Sequence, residues 1–407
     1  MKNFAEFITE QKNTHMTHIE DKVLYGGVRG TREAINALRS LRDTLAGKKE
    51  GSVSVKWDGA PAIFAGTDPR DGEFFVAKKG IFNKNPKVYK TAADVDADTS
   101  GDLSAKLKDA LQYLPALGIK GVIQGDFLFS RSDLENKSID GQDYVVFHPN
   151  TIAYAIPTAQ ASEVKKAKIG IVWHTTYTGS SFETMKASYG VNVAGLNKSK
   201  NVWSQDAMLR DARGATMTSA ETEEVTSILS SAGTMFNSIS SSTLSQLENN
   251  QTLAQHIEQF NNTYVRAGTV ITNTRLHTTK LIRWIKAKYQ KEIDARKTTK
   301  GKTAQQRKLD ELLSFFSTEN KASLIKMFEL QKLIVLAKLK LINKLNSVGK
   351  YKTFVKSANG YKVTGQEGYV AIDTLGGDAV KLVDRMEFSY NNFSPDILKG
   401  WQKPTRR

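Results

Sequence analysis

Apolar residues at Ile35, Leu38, Leu41 and Leu45 recur at three- and four-residue intervals ahead of Gly47, which predicts a helix over 31–45. Residues 1–47 as a whole read as mostly helical, broken at Gly26-Gly27-Val28-Arg29-Gly30. From Ser52 the period shortens. Short β-prone runs follow at 53–55, 62–64, 74–77, 121–129, 144–147, 152–156 and 169–174, separated by turn residues, with one helix expected over 103–114. From about 191 to 349 the strand signal gives way to helical spacing. Helices are expected over 219–247, 253–296, 305–316 and 322–346, and a basic loop over 297–303. The 324–345 run, dense in Leu and Ile with interspersed Lys, reads as a core helix with a basic outer face. Strand character returns at 361–363, 367–372, 379–383 and 386–389. The pattern predicts an α+β fold of antiparallel sheets interrupted by a large, mainly helical insert. The expected organisation is an N-terminal helical segment (1–50), a sheet domain (51–190 plus 357–407) and a helical insert (191–356). The last residues, 399–407, read as a basic, loose tail.

Composition adds little to this, but charge adds a good deal. The chain is long enough, at 407 residues, for more than one core. It contains no cysteine, which excludes disulfides and thiolate metal sites and fits a reducing cytoplasm. The longest uninterrupted apolar stretch, 333–337, is far too short to span a bilayer, and the N-terminus has no signal-peptide core, so a cytoplasmic protein is expected. The net charge is +16. Residues 275–356 hold 21 Lys/Arg against 6 Asp/Glu, so nearly all the excess lies in that one segment. A cationic surface of that extent is expected to face nucleic acid.

The candidate chemistry starts at Lys56-Trp57-Asp58-Gly59. There a lysine ends an alternating apolar run just before a turn and a second apolar run. A lysine presented to a cleft at a strand end can act as a nucleophile when its neighbours keep part of it neutral. Four further segments supply groups suited to a nucleoside triphosphate. Lys78-Lys79-Gly80 follows a β-run and can offer ammonium charge and backbone N–H groups to phosphate, with Lys78 and Lys79 equally placed by sequence. Asp126 in Gln124-Gly125-Asp126-Phe127 and Glu367 in Glu367-Gly368-Tyr369-Val370 put carboxylates in apolar strands, where pairing or a metal must offset burial. Lys381 returns a cation within a late strand. Each has a plainer reading. Asp58-Gly59 can be a hairpin turn, Glu367 an exposed turn acid, and Trp57 core packing. His15 and His18, with Glu20 and Asp21 beside them, could hold a metal, start a helix or border a nucleotide pocket.

Taken in order, these segments resemble the motifs of the covalent nucleotidyltransferases: ATP-dependent DNA ligases, RNA ligases and mRNA capping guanylyltransferases. Residues 56–59 look like motif I, 78–80 like motif Ia, 124–127 like motif III, 367–370 like motif IV and 380–383 like motif V. The segments 147–150 and 169–174 fall where motif IIIa belongs. Lys-Lys-Gly-Ile-Phe and Glu-Gly-Tyr-Val are closer to the phage RNA ligases. The resemblance implies an ATP-grasp-like adenylation domain, a lysyl-AMP intermediate on Lys56, and catalytic roles for Asp58 and Lys381. It also implies nucleotide contacts from Gly59, Lys79, Gly80, Asp126, Glu367 and Lys381, and Mg²⁺ on Glu367 and Asp126. The expected activity is joining of 5′-phosphate to 3′-hydroxyl ends, with RNA ends favoured. The alternatives are DNA nick sealing, guanylyl transfer, or a non-catalytic nucleic-acid-binding protein with a decayed version of the fold. The chain departs from the pattern in three places. Asp126 stands for the usual glutamate and Val383 for a second lysine, leaving Lys381 or Arg385 to hold phosphate. No C-terminal OB domain is expected, and the basic insert would take over its grip.

Overall fold

The computed structural model describes residues 17–49, 51–209, 216–348, 351–372 and 379–402. His15 of the expected histidine pair and residues 403–407 of the expected tail lie outside the described residues. A 3₁₀ turn (Ile19–Asp21) and a short helix (Lys22–Tyr25) lead into the long helix Gly27–Leu45. Then come β1 (Ser52–Lys56), β2 (Ala62–Thr67), β3 (Phe74–Ala77), helices Ala92–Asp98 and Gly101–Tyr113, β4 (Val122–Ser130), β5 (Glu135–Ile139), β6 (Gln142–Phe147) and β7 (Ile152–Pro157). Next are helix Ser162–Lys166, β8 (Ile169–Thr178), β9 (Lys186–Tyr189), β10 (Val202–Asp206) and β11 (Met208–Leu209). Six helices follow: Ser219–Asn237, Ser241–Asn249, Gln251–Arg266, Thr274–Asp294, Thr299–Ser314 and Thr318–Ser347. The chain closes with β12 (Lys352–Ser357), β13 (Gly360–Val363), β14 (Gly368–Ile372), β15 (Ala379–Leu382) and helix Arg385–Phe393.

Three sheets form. The first has the order β11-β1-β14-β15, the second β10-β8-β4-β2-β3 with β9 also on β8, and the third β13-β12-β7-β6-β5. Pairing is antiparallel except for β10 on β8, which is parallel. The helical segment is narrower than the expected 191–356. Strands β10 and β11 precede it, and β12 pairs with β7 of the third sheet, so helices occupy Ser219 to Ser347. Residues 386–389, expected as a strand, are helical. The Asp384 side chain accepts from the Met386 and Glu387 N–H groups (3.0 and 3.1 Å), and this N-cap overrides a short alternating apolar pattern. The expected basic loop at 297–303 likewise shortens, because Thr298 caps a helix that begins at Thr299.

The basic helices and the N-terminal helices do not form separate cores. Leu38 and Leu41 of the first long helix, Leu229, Leu281 and Leu341 of the later ones, and Val53, Tyr369, Val380 and Leu382 of the first sheet bury into one hydrophobic cluster. Period-two alternation then assigns the faces of that sheet. Val53, Tyr369, Val380 and Leu382 turn toward the helices, so their neighbours Lys56, Val370 and Lys381 must turn away from that core.

Not every lysine of the helix Thr318–Ser347 lies on its outer face. Lys338 is 1% exposed and its ammonium donates to both oxygens of the buried Glu20 carboxylate, at 2.9 Å each. Arg385 joins the same cluster, donating to Glu20 (3.3 Å), to Asp21 (2.8 Å) and to Asn262. The residues just after the N-terminal stretch, the helical segment and the last helix are tied together by buried charge. Lys399, expected in a loose tail, is docked: its ammonium donates to Thr151 Oγ1 and the Asn391 carbonyl, while Leu398 N–H donates to the Lys356 carbonyl.

Candidate active site

Lys56 ends β1, directly opposite Gly368 of β14, and Lys381 of β15 lies opposite Val370. Residues facing each other across antiparallel strands share a face, and so do residues two apart along a strand. Lys56, Gly368, Val370 and Lys381 therefore share the face opposite the helical core. Glu367, one residue before β14, closes on Lys56 as an ion pair, with Lys56 38% and Glu367 11% exposed. Burial pushes the Glu367 carboxyl up to about 7, against the pull of Lys56. Burial holds the Lys381 amine below the usual lysine range, and the neighbouring Lys56 charge adds to the effect.

Asp126 comes from β4 of the second sheet. Gly59 brings the two sheets together. A Cβ at Gly59 would stand 2.5 Å from the Asp126 Cβ and 3.0 Å from the Phe127 carbonyl, so the turn after Lys56 can press on β4 only without a side chain. Ala60 N–H donates to the Phe127 carbonyl and Phe127 N–H to the Pro61 carbonyl, closing that contact. Burial pushes Asp126 up to about 7 despite the opposing charges of Lys56 and Lys79. The two lysines of the basic turn are thereby told apart. Lys78 is held by Asp98 (3.0 Å), whereas Lys79 is exposed and its charge acts on Asp126. Gly80 lies within the 3₁₀ turn Lys79–Phe82, where a Cβ would make only ordinary contacts with Lys87 and Asn83.

Asp58 is buried and its carboxylate is fully engaged. Asn150 Nδ2 donates to Oδ1 (2.7 Å), and the Thr151 and Ile152 N–H groups both donate to Oδ2 (2.7 Å each). Its own N–H donates to the Tyr154 hydroxyl (2.6 Å). Asp58 thus clamps the turn into β7 and positions Lys56; it is not a free acid in the cleft. Trp57 stacks on Tyr154 with ring centroids 4.6 Å apart and packs beside Trp203 and Tyr351. Val383, where a second lysine would complete motif V, is buried, and its Cγ2 would meet a Cβ at Gly368 at 2.7 Å. Arg385 is taken up by Glu20, Asp21 and Asn262, so Lys381 is the cation that the last strand places on the Lys56 face.

The structure adds His174. Gln124 pairs with Thr175 and Gly125 with Trp173, which leaves His174 as the extra residue of a β-bulge. Bulges re-aim a side chain. Here Nε2 stands 3.8 Å from Asp126 Oδ2, while Nδ1 hydrogen-bonds with Thr175 Oγ1 (2.7 Å). Burial and the Lys56 charge lower its pKa to about 4, so the imidazole is neutral at pH 7. The segment 169–174 was legible as a strand; the bulge depends on register with β4 and leaves no local signature. His18, the described member of the expected histidine pair, makes a backbone bridge to Lys381 at the sheet edge. Burial lowers its pKa to about 3.

No group of three or more His, Cys, Asp or Glu suited to a metal occurs among the described residues. Asp126 and Glu367 are two recessed carboxylates that burial holds above their usual range despite the nearby lysine charge. That donor set fits Mg²⁺, which takes one or two carboxylates and completes its shell with phosphates and water. No helix of the described residues is long and apolar enough to cross a membrane.

The site is therefore a lysine on one sheet, paired with a glutamate from the adjacent strand, facing an aspartate and a histidine on a second sheet. No curated protein and no solved structure matches the chain. The family described as a family of unknown function (DUF6267) matches residues 13–396, nearly the full length, and the chain belongs to that family.

Proposed function

We propose that the chain is an ATP-dependent polynucleotide ligase acting through a lysyl-AMP intermediate, with RNA ends favoured. The observation that carries this reading is the convergence of Lys56, Glu367 and Lys381 on three adjacent strands, opposite Asp126 and Lys79. Lys56 Nζ attacks the α-phosphorus of ATP, an N–P bond forms, and the P–O bond to pyrophosphate breaks. A 5′-phosphate oxygen then takes the AMP from the lysine, and a 3′-hydroxyl attacks the activated 5′-phosphorus and releases AMP. Each step is a displacement at phosphorus, so positioning and charge neutralisation do most of the catalysis. Lys381 and Lys79 offer positive charge to phosphate oxygens, Gly59 keeps the cleft narrow, and Asp58 holds the turn that presents Lys56. Asp126 and Glu367 would hold Mg²⁺, which would neutralise phosphate charge.

The nucleic-acid grip is assigned to the helices Thr274–Asp294 and Thr299–Ser314. Many cations of this helical hairpin are exposed, among them Lys280, Arg283, Lys291, Arg296, Lys297 and Lys300. Lysines of the following helix are more often consumed by acids, as Lys338 is by Glu20, Lys340 by Glu224 and Lys344 by Glu221.

Incubation with α-labelled ATP and Mg²⁺ followed by denaturing electrophoresis tests the first step. A labelled band that disappears in Lys56→Ala is expected. Label from GTP alone would move the reading to guanylyl transfer, and no label from any nucleotide would overturn it in favour of a non-catalytic binder.

A further inference from the structure

The hairpin of helices Thr274–Asp294 and Thr299–Ser314 carries more charge than its own acids can balance. Residues 274–314 hold twelve Lys/Arg against four Asp/Glu, and all of them are described residues. The four acids are occupied within the hairpin. Glu292 accepts from Gln305, Asp294 from Gln290 (2.9 Å) and Asp310 from Gln306 (2.8 Å), while Glu311 pairs with Arg307 (3.5 Å).

The excess is laid out on one face. Leu281, Ile285 and Tyr289 are buried and fix the inner side of the first helix. At about 100° per residue, Arg275, Lys280, Lys286 and Lys291 all fall within about 80° of Arg283, on the side opposite that stripe. These five cations are exposed, and none pairs with an acid among the described residues. They cover about 24 Å of helix axis, the length of roughly seven base-pair steps. The face continues onto the second helix. Lys286, Ala287 and Gln290 line a shallow groove with Gln306, Leu309 and Leu313 across from them. Lys302, four residues before Gln306, is exposed on the same side of its helix.

The rings of the hairpin, in contrast, turn inward. Tyr289 is buried beside His256 (ring centroids 5.5 Å apart), and the half-buried Trp284 packs on Phe260 (5.7 Å). Phe315 and Phe316, just past the second helix, are buried as well. A single-strand site joins a cationic groove to exposed rings on which bases stack. A duplex keeps its bases stacked inside and offers two rows of phosphates on a stiff outer surface. Cations on rigid helices suit that surface, and contacts to phosphate position a partner without reading its sequence.

We propose that the face carrying Arg283, Lys286 and Lys302 binds double-stranded nucleic acid along its phosphate backbone, independent of sequence. This rests on the reading of the chain as a polynucleotide ligase, and it places the ends to be joined within or beside a duplex.

The test uses the full chain and a fluorescent, 5′-phosphorylated blunt RNA duplex of about sixteen base pairs. One strand of it, and a second duplex of unrelated sequence, serve for comparison. The duplex is expected to bind about tenfold or more tighter than the single strand, and the two duplexes alike, because the contacts are to phosphate. Replacing Lys280, Arg283 and Lys286 together by Gln should lower the salt dependence of log duplex affinity by roughly 2 to 3. The charge-keeping set Lys280→Arg, Arg283→Lys and Lys286→Arg should keep it, and thermal melts check that both variants fold. Equal affinity for duplex and single strand overturns the proposal. So does a tenfold difference between the two duplexes, or an unchanged salt slope in the Gln variant. Displacement of the duplex by inorganic polyphosphate at matched charge also overturns it, since the face would then hold any polyanion. ATP labelling of the wild type is read on the same preparation. Duplex preference without label overturns the ligase reading alone; label without duplex preference overturns the duplex face alone.

Discussion

Lys56 and Glu367, separated by more than three hundred residues of sequence, form an ion pair because β1 and β14 are adjacent and Lys56 lies opposite Gly368. The side chains that make the pair are the last of one strand and the residue just before the other. Its geometry is set by the β1–β14 register.

Glu367→Gln keeps the shape of the pair and removes its charge. Labelling of Lys56 by ATP is expected to fall by about a hundredfold, the scale seen when one preorganised electrostatic contact to a reacting centre is lost. A gel time course against wild type measures it. A rate within a factor of two of wild type would remove Glu367 from the machinery.

Glu367 and Asp126 are both held up near pH 7 by burial. Ionised, they suit a divalent cation, so labelling should rise with pH through about 7 and then level off. Asp126→Asn should remove one of the two titrations from that profile. The stability effect has the opposite sense. The folded protein keeps protons that the unfolded chain releases above about pH 4. The contribution of these two groups to stability is thus largest below pH 4 and is lost as pH rises through 7. A flat rate profile between pH 6 and 8 would contradict this assignment.

Gly59→Ala places a methyl group against the Asp126 Cβ and the Phe127 carbonyl. The expected cost is about 1 to 3 kcal/mol, typical of an overpacked core, with labelling reduced as the two sheets are forced apart. Gly72→Ala is a different case. Nothing lies within 4 Å of its Cβ position, so any loss there reflects its φ of +80°. Thermal melts of both variants separate crowding from backbone strain.

Lys338→Met leaves Glu20 facing Arg385 with half of its compensating charge gone. Removing one partner of a buried pair costs about 3 to 5 kcal/mol, and a denaturation midpoint well below wild type is expected. Replacing Glu20 by Gln in the same chain should recover part of it. Equal stability of Lys338→Met and wild type would show that the buried network is not a brace.

Arg296, Lys297 and Lys300 sit exposed where the helix Thr274–Asp294 turns into Thr299–Ser314. Replacing all three by Ala should weaken nucleic-acid binding and lower the salt dependence of log affinity by roughly 2 to 3, close to one unit per phosphate contact. An unchanged slope would place the grip elsewhere.

Local pattern was enough for a large part of the chain. The runs at 53–55, 74–77, 144–147 and 152–156 each fall within a strand, and the 31–45 periodicity within the helix Gly27–Leu45. Polar edge strands escaped it. Glu135–Ile139 has no apolar alternation, and it is a strand because the Asp140-Gly141 turn, with both φ positive, folds it onto β6. Strands β10 to β12 were hidden for a similar reason, since each borders a long helical segment and gains its pairing from distant partners.

By itself the sequence determined where chemically capable side chains fall and the period of the elements that hold them, because helix and strand spacing and Asp-Gly or Lys-Lys-Gly turns are written locally. That is how Lys56, Asp126, Glu367 and Lys381 could be singled out, and how the charge could be assigned to one segment. Only the tertiary structure decided what each group faces. It showed Asp58 as a clamp, Lys78 held by Asp98 while Lys79 stays exposed, Arg385 and Lys338 locked on acids, and His174 aimed by a bulge. Partners, burial and register arise between segments far apart in the chain, and the local period carries no record of them.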